Sequence, residues 1–170
     1  MKILDEVDYQ FIPLPHLLIR KANLKLNSED ISSSIIETEN LKLFLSLKHL
    51  YPMSNFKFDK LEMQNTNFKF KVSDLKHFNN HLNSKINNKI VVKKSKLFYL
   101  DNENNTILIS PINNLFYFLN KKDNSKKLKI KGNIFDINYE SLWKKYFKSS
   151  NKSQTEIKLK NPNLTLKNLF

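Results

Sequence analysis

Apolar and polar residues alternate through most of this chain with a period of two, the spacing of a β-strand that turns one side to a core and the other to water. Leu41, Leu43, Leu45 and Leu47 fall on one side of such a strand, opposite Lys42, Ser46 and Lys48, with Phe44 the exception on the polar side. Leu18, Ala22, Leu24 and Leu26 read as an earlier strand. Phe56 and Phe58, then Phe68, Phe70 and Val72, read as a later pair separated by an irregular stretch. Ile90 to Leu100, Ile107 to Leu119, Leu128 to Tyr139 and Ile157 to Leu166 continue the series. Turn-forming clusters lie between them, including Asn27-Ser28-Glu29-Asp30 and Asp101-Asn102-Glu103-Asn104-Asn105. The pattern predicts an antiparallel meander.

One segment departs from it. Leu75, Phe78 and Leu82 recur at helical spacing behind Ser73-Asp74, which are good N-cap residues, so one short helix is expected there. Asn138 to Phe147 suits either period. Asn65-Thr66-Asn67-Phe68-Lys69-Phe70 and Asn161-Pro162-Asn163-Leu164-Thr165-Leu166 share one pattern of polar and apolar positions, a weak internal repeat. About seven amphipathic strands create an apolar sheet face that one helix of about 11 residues, roughly 16 Å long, cannot cover. The sheet must either close on itself around a dry core or stay open as a gutter whose floor receives a ligand with apolar chains.

At 170 residues and 20.2 kDa the chain fits one domain, residues 1–170. A net charge of +13 ordinarily points to a polyanionic partner. Here, however, 28 of the 29 basic residues are lysine and only Arg20 is arginine, whereas phosphate and base recognition favours the guanidinium fork. Much of this charge therefore reads as solvated surface. In Phe56-Lys57-Phe58 and Phe68-Lys69-Phe70 the alternation sends rings and lysines to opposite faces, so stacking and phosphate neutralisation do not converge. Nucleic acid is not the expected partner, although a basic nucleic-acid-binding module remains the main rival reading. A structural β-interaction domain is the other.

The chemistry of catalysis finds no foothold. A single glycine, Gly132, excludes Gly-rich phosphate cradles, and the absence of cysteine excludes thiolate metal sites, disulfides and thiol nucleophiles. His77 and His81 stand four apart on the expected helix, but Phe78 occupies the general-base position of the metalloprotease motif, and His16 and His49 supply no third ligand at a recognisable spacing. Asp59, Glu62, Asp101 and Glu103 read as surface carboxylates among lysines. Ser32, Ser33 and Ser34 lack a Gly-flanked elbow. No enzyme, cofactor or metal site is expected. The longest apolar run, Leu115 to Leu119, is far too short to span a bilayer, and acidic Asp5, Glu6 and Asp8 stand where a secretory leader would be basic.

Tyr9-Gln10-Phe11-Ile12-Pro13-Leu14-Pro15-His16-Leu17-Leu18-Ile19 resembles the opening of the periplasmic region of the AsmA family, with its aromatic residue, Pro-x-Pro segment and strand. The stretch from Glu39 to Leu50 resembles the family's next strand, and Phe56 to Phe68 the strand pair after it. Up to Val72 the likeness is fairly specific; beyond, Ile130 to Phe135 and Lys160 to Leu164 share only the family's style. The resemblance implies a curved, groove-like β-sheet related in architecture to bridge-like lipid-transfer proteins. It implies a protein anchored in the inner membrane that reaches through the periplasm and serves outer-membrane biogenesis and phospholipid transport. Family members carry an N-terminal transmembrane helix that this sequence lacks, so a fragment of a longer, membrane-anchored protein is expected, continuing into further β-groove segments. Acyl chains of phospholipids would lie on a floor formed by Leu41, Leu43, Leu45, Leu47, Phe56, Phe58, Phe68 and Phe70.

Overall fold

A computed structural model describes residues 2–25, 35–46, 57–71, 88–147 and 153–169. Twelve strands form one sheet: β1 (Lys2–Ile3), β2 (Val7–Gln10), β3 (His16–Ile19), β4 (Ala22–Lys25), β5 (Ile35–Leu45), β6 (Phe58–Lys71), β7 (Lys89–Leu100), β8 (Thr106–Asn120), β9 (Ser125–Ile134), β10 (Ile137–Tyr146), β11 (Ser153–Leu159) and β12 (Leu164–Leu169). From β4 to β12 neighbours in space follow chain order. At the other side the edge forks, because β4 carries β1 while β3 carries β2, and both β3 and β4 pair with the long β5. The sheet is open, with β12 at one edge and β1 and β2 at the other.

The expected meander is corrected at one place: β6 and β7 run parallel, so the sheet is mixed. A parallel pair cannot be joined by a tight turn and needs a crossover of a dozen or more residues, which is why the alternation breaks between Lys71 and Lys89. The expected helix around Leu75, Phe78 and Leu82 lies outside the described residues; no helix occurs among those described. Asn138 to Phe147, which suits either period, is strand as far as Tyr146. Leu128 to Tyr139 is two strands rather than one, turning at Phe135 and Asp136, both with left-handed backbone (φ 49° and 61°). Two such residues make the tight hairpin turn that usually announces itself with Asn-Gly, and neither residue here gives that signal. Ile157 to Leu166 is likewise a hairpin, β11 to β12, and the suggested Asn-x-Asn repeat does not recur as a unit: Asn65 sits inside a strand and Asn161 in a turn.

Phe58 to Lys71 is one strand of 14 residues, although its sequence reads as two. The reason is a change of phase. Met63 and Phe68 pack in the same core cluster although they stand five apart, a spacing that strict alternation sends to opposite faces. Asn65 between them has φ 50°, a left-handed value uncommon for a non-glycine residue, and resets the alternation. Its position on the next strand, Lys94, does the same with φ 49°. On β8 the register slips between Ile112 and Asn114, a β-bulge. On β5 the ladder is interrupted opposite Asn65, at Glu39, and Arg20-Lys21 break β3 from β4 beside the same point. These interruptions form one crease across neighbouring strands. On every strand it crosses the inward set changes parity, from Ile19 to Ala22, Leu41 to Thr38, Met63 to Thr66, Val92 to Ser95 and Leu115 to Ile112.

Hydroxyls next to the crease take up part of what the ladder loses. Thr38 and Thr66 share a hydrogen bond between hydroxyls (2.9 Å), Ser95 Oγ accepts from the Thr66 N–H (3.1 Å) and donates to the Lys93 carbonyl (2.9 Å), and Ser110 Oγ donates to the Asn133 carbonyl (3.2 Å). All four side chains are buried. Buried backbone groups need such partners wherever the regular ladder fails.

Gly132 lies where the crease meets β9, opposite Ile112 on one side and Tyr139 on the other. A Cβ at this position would approach the Pro111 carbonyl oxygen to 2.5 Å and the Tyr139 hydroxyl to 2.9 Å. The carbonyl belongs to the backbone and cannot swing aside. Gly132→Ala is therefore expected to destabilise the protein by about 1–3 kcal/mol, the usual cost of overpacking, read as a lower urea midpoint with unchanged m-value.

Candidate functional site

Because the phase resets together on adjacent strands, one face of the sheet stays apolar across its width. Following register partners, Ile19, Leu41, Met63, Val92, Leu115, Ile130, Ser141, Ile157 and Leu166 form a single transverse row from β3 to β12. A second row beside it runs Leu17, Leu43, Leu61, Ile90, Tyr117, Leu128 and Trp143. Beyond the crease Leu24, Ile36, Phe68 and Leu97 extend the same surface. Ile19, Leu41 and Val92 are at most 2% exposed, Leu115, Ile130 and Ile157 are half-buried, and Leu166 is 53% exposed. The apolar face is thus covered at the β3–β7 side and uncovered progressively toward β12.

Of the expected floor residues, the structure brings together Leu41, Phe68 and Phe70 in the buried cluster, with Leu43 packed against it. Leu45 lies beyond an irregularity in the β5–β6 register and lines a cavity with Pro13, Leu14 and Phe44 on the opposite face. Phe58 is 41% exposed at the start of β6. Leu47 and Phe56 lie outside the described residues. Sequence reading missed the β7–β11 part of the surface, although the strands there were recognised, because their inward sets follow only from the register. It also put Leu18 in phase with Ala22; Leu18 pairs with Lys42 on the reverse face, and Leu17 and Ile19 point to the core side.

Buried Lys126, in phase with Leu128 and Ile130 and with its ammonium 5.4 Å from the Phe147 ring centre, is one of several polar features on the apolar surface. Tyr117 is buried on it, and its hydroxyl has no hydrogen-bond partner among the described residues. Burial pushes this phenol above its usual titration range. At the crease, the hydroxyls of Thr38, Thr66 and Ser95 bond to one another or to nearby backbone groups and offer no comparable free group.

The reverse face carries much of the charge. Lys127 and Lys144 pair with Asp123 (2.8 and 3.2 Å), and Lys131 and Lys160 with Glu140 (3.0 and 3.4 Å). These are surface pairs of small energy. Glu62, expected on a solvent face, is instead buried: it accepts from Lys60 (2.6 Å), Lys93 (2.9 Å) and Gln64 (3.2 Å). Lys60 also lies 4.4 Å from the Phe44 ring centre, and the ring of buried His16 stacks on the other side of this cluster, 4.9 Å from Phe44. His16 therefore packs as a core residue. His49, His77 and His81 lie outside the described residues, among which no group of three His, Asp or Glu side chains is placed to hold a metal ion. No helix among the described residues is long and apolar enough to cross a membrane.

The chain matches no model of a known protein family and none of the curated proteins with which it was compared.

Burial alone would raise the Glu62 carboxyl, but the hydrogen bonds from Lys60, Lys93 and Gln64 outweigh it and hold the group down at about 2, against 4.5 for the free side chain. A depressed carboxylate stabilises the fold fully above the unfolded value and loses that contribution as pH falls toward the folded one. Urea midpoints are thus expected to drop between about pH 5 and about pH 2, by roughly 1–3 kcal/mol from this group. In Glu62→Gln the protein is less stable at neutral pH and that part of the acid dependence is missing.

Proposed function

We propose that this chain is an AsmA-like, non-enzymatic lipid-holding protein whose apolar sheet face forms the floor of a curved groove for phospholipid acyl chains. The observation that carries the reading is the transverse apolar row from Ile19 to Leu166, which is covered at one side and open at the other. Among the described residues the open sheet has no second sheet to close over that surface. Acyl chains supply the missing cover at about 0.8 kcal/mol for each CH₂ removed from water. The residues that resemble the AsmA opening, Tyr9 to Ile19, form the β2–β3 hairpin whose Leu17 and Ile19 begin both rows. In the proposed setting the protein works in the periplasm, joined to the inner membrane and to further β-groove segments, in phospholipid transport for outer-membrane biogenesis.

A second reading is favoured by one observation on the reverse face. Phe116 pairs with Lys129, and Phe118 with Lys127, so ring and cation share a face there, unlike the segregation read in Phe68-Lys69-Phe70. With Lys89 and Lys131, the two rings line a cavity of about 590 Å³. That is the makeup of a stacking platform for single-stranded nucleic acid. It requires oligonucleotide binding that weakens steeply with salt, through counterion release; no binding at low salt removes this reading.

The lipid reading is tested by extracting purified, detergent-free protein and identifying lipids by mass spectrometry. About one or more phospholipids per chain is the expected result, and well-folded protein without lipid overturns it. Ile157→Asp, at the half-exposed end of the row, is expected to abolish retention while the β-sheet circular dichroism persists. Tyr117→Phe is expected to raise the stability of the protein by about 1 kcal/mol, read as a higher urea midpoint.

A further inference from the structure

We infer that the loop joining β2 to β3, residues 11–15, is a membrane-insertion tip that seats the protein on the surface of a lipid bilayer. Phe11 is 68% exposed, Ile12 86% and Leu14 51%, and the Tyr9 ring meets Phe11 edge-on at 4.6 Å. No charged side chain occurs from Tyr9 through Ile19. Exposed apolar side chains clustered at one turn mark an interaction site rather than an ordinary soluble surface.

The backbone of the loop decides what kind of partner it fits. Inserting a turn into the bilayer interface is costly because N–H and C=O groups lose water, so a turn built for it must satisfy or omit them. Pro13 and Pro15 have no N–H to satisfy. The Leu14 carbonyl accepts a hydrogen bond from His16 Nδ1 (2.7 Å), and the Pro15 carbonyl accepts from the Leu45 N–H (3.0 Å). His16 is itself buried against Phe44, so the one polar ring near the turn faces the body of the protein. The side chains that remain most exposed, Phe11 and Ile12, are hydrocarbon, while Pro13 and Leu14 border a cavity shared with Lys42, Asp59, Lys60 and Glu62. Exposed hydrocarbon of this kind enters a fluid phase that adapts around it without a complementary protein surface. The +13 net charge of the whole chain adds a general attraction to an anionic bilayer that salt screens. The inference does not depend on acyl chains occupying the apolar floor.

The test is co-sedimentation of the whole chain with phosphatidylcholine vesicles made with or without phosphatidylglycerol. Capture by the anionic vesicles is expected, with part of the binding surviving about 1 M salt because the loop contribution is apolar. Phe11→Ser with Ile12→Ser removes two exposed side chains that support no core contact, and it should reduce capture at least about tenfold with an unchanged circular dichroism spectrum. As a direct readout, Ile12→Trp in a Trp143→Phe background is expected to give emission that shifts to the blue on binding and is quenched by brominated acyl chains. Three results overturn the inference: no capture of the wild-type chain; capture equal in the double serine variant and abolished by salt, which is lysine adsorption; or wild-type self-association in the absence of vesicles that the variant abolishes, which makes a second copy the occupant. A protein that retains extracted lipid yet ignores vesicles loses this inference and keeps the proposed floor.

Discussion

The structure depends on keeping one apolar face continuous across strands whose alternation changes phase halfway along. In a strand the side-chain period is two, so any one-residue irregularity sends every following side chain to the other face. An isolated irregularity in one strand would split its core set and expose half of it. Here the irregularities at Arg20-Lys21, Glu39, Asn65, Lys94 and Asn113 lie next to one another across the sheet, and each inward set shifts with its neighbours. The apolar surface survives because the shifts agree. Along this line the register holds across Glu39, Asn65 and Lys94 and slips only between β8 and β9, at the one bulge beside Gly132.

That arrangement explains what could be read from the sequence and what could not. Alternation within each half-strand was plain, so Leu41 and Leu43, Phe68 and Phe70, and the strands after Ile90 were recognisable. Across Asn65 the alternation changes phase, and a 14-residue strand looked like two. Pairing was the deeper obstacle. The parallel β6–β7 ladder and the row linking Met63 to Val92 and Leu115 depend on register, which single-strand periodicity does not carry. The Phe135-Asp136 turn was invisible for another reason: a left-handed pair is recognised by Asn and Gly, and here an exposed Phe and Asp take those positions.

The distribution of lysine follows from the same face assignment. Lys60, Lys93, Lys127, Lys129, Lys131 and Lys144 stand on strands whose alternate residues form the apolar rows, so they share the reverse face by geometry. Read along one strand, rings and cations separate. Read across strands, Phe44 meets Lys60 and Phe116 meets Lys129. Glu62 shows the consequence: a carboxylate that looks like one more surface charge along the chain becomes, once neighbouring strands are in place, a buried acceptor for two lysines.

The two faces of the open sheet present different surfaces to their surroundings. A sheet apolar on both faces would stack, and one polar on both would have no reason to order. The lysine face repels other copies through its charge, while the apolar face is covered at its β3–β7 side and left uncovered toward β12. An uncovered apolar surface of this extent favours association with something apolar. Exposure along the row rises from Val92, 1% exposed, to Leu166, 53% exposed, so the uncovered part of the apolar face lies on the β12 side.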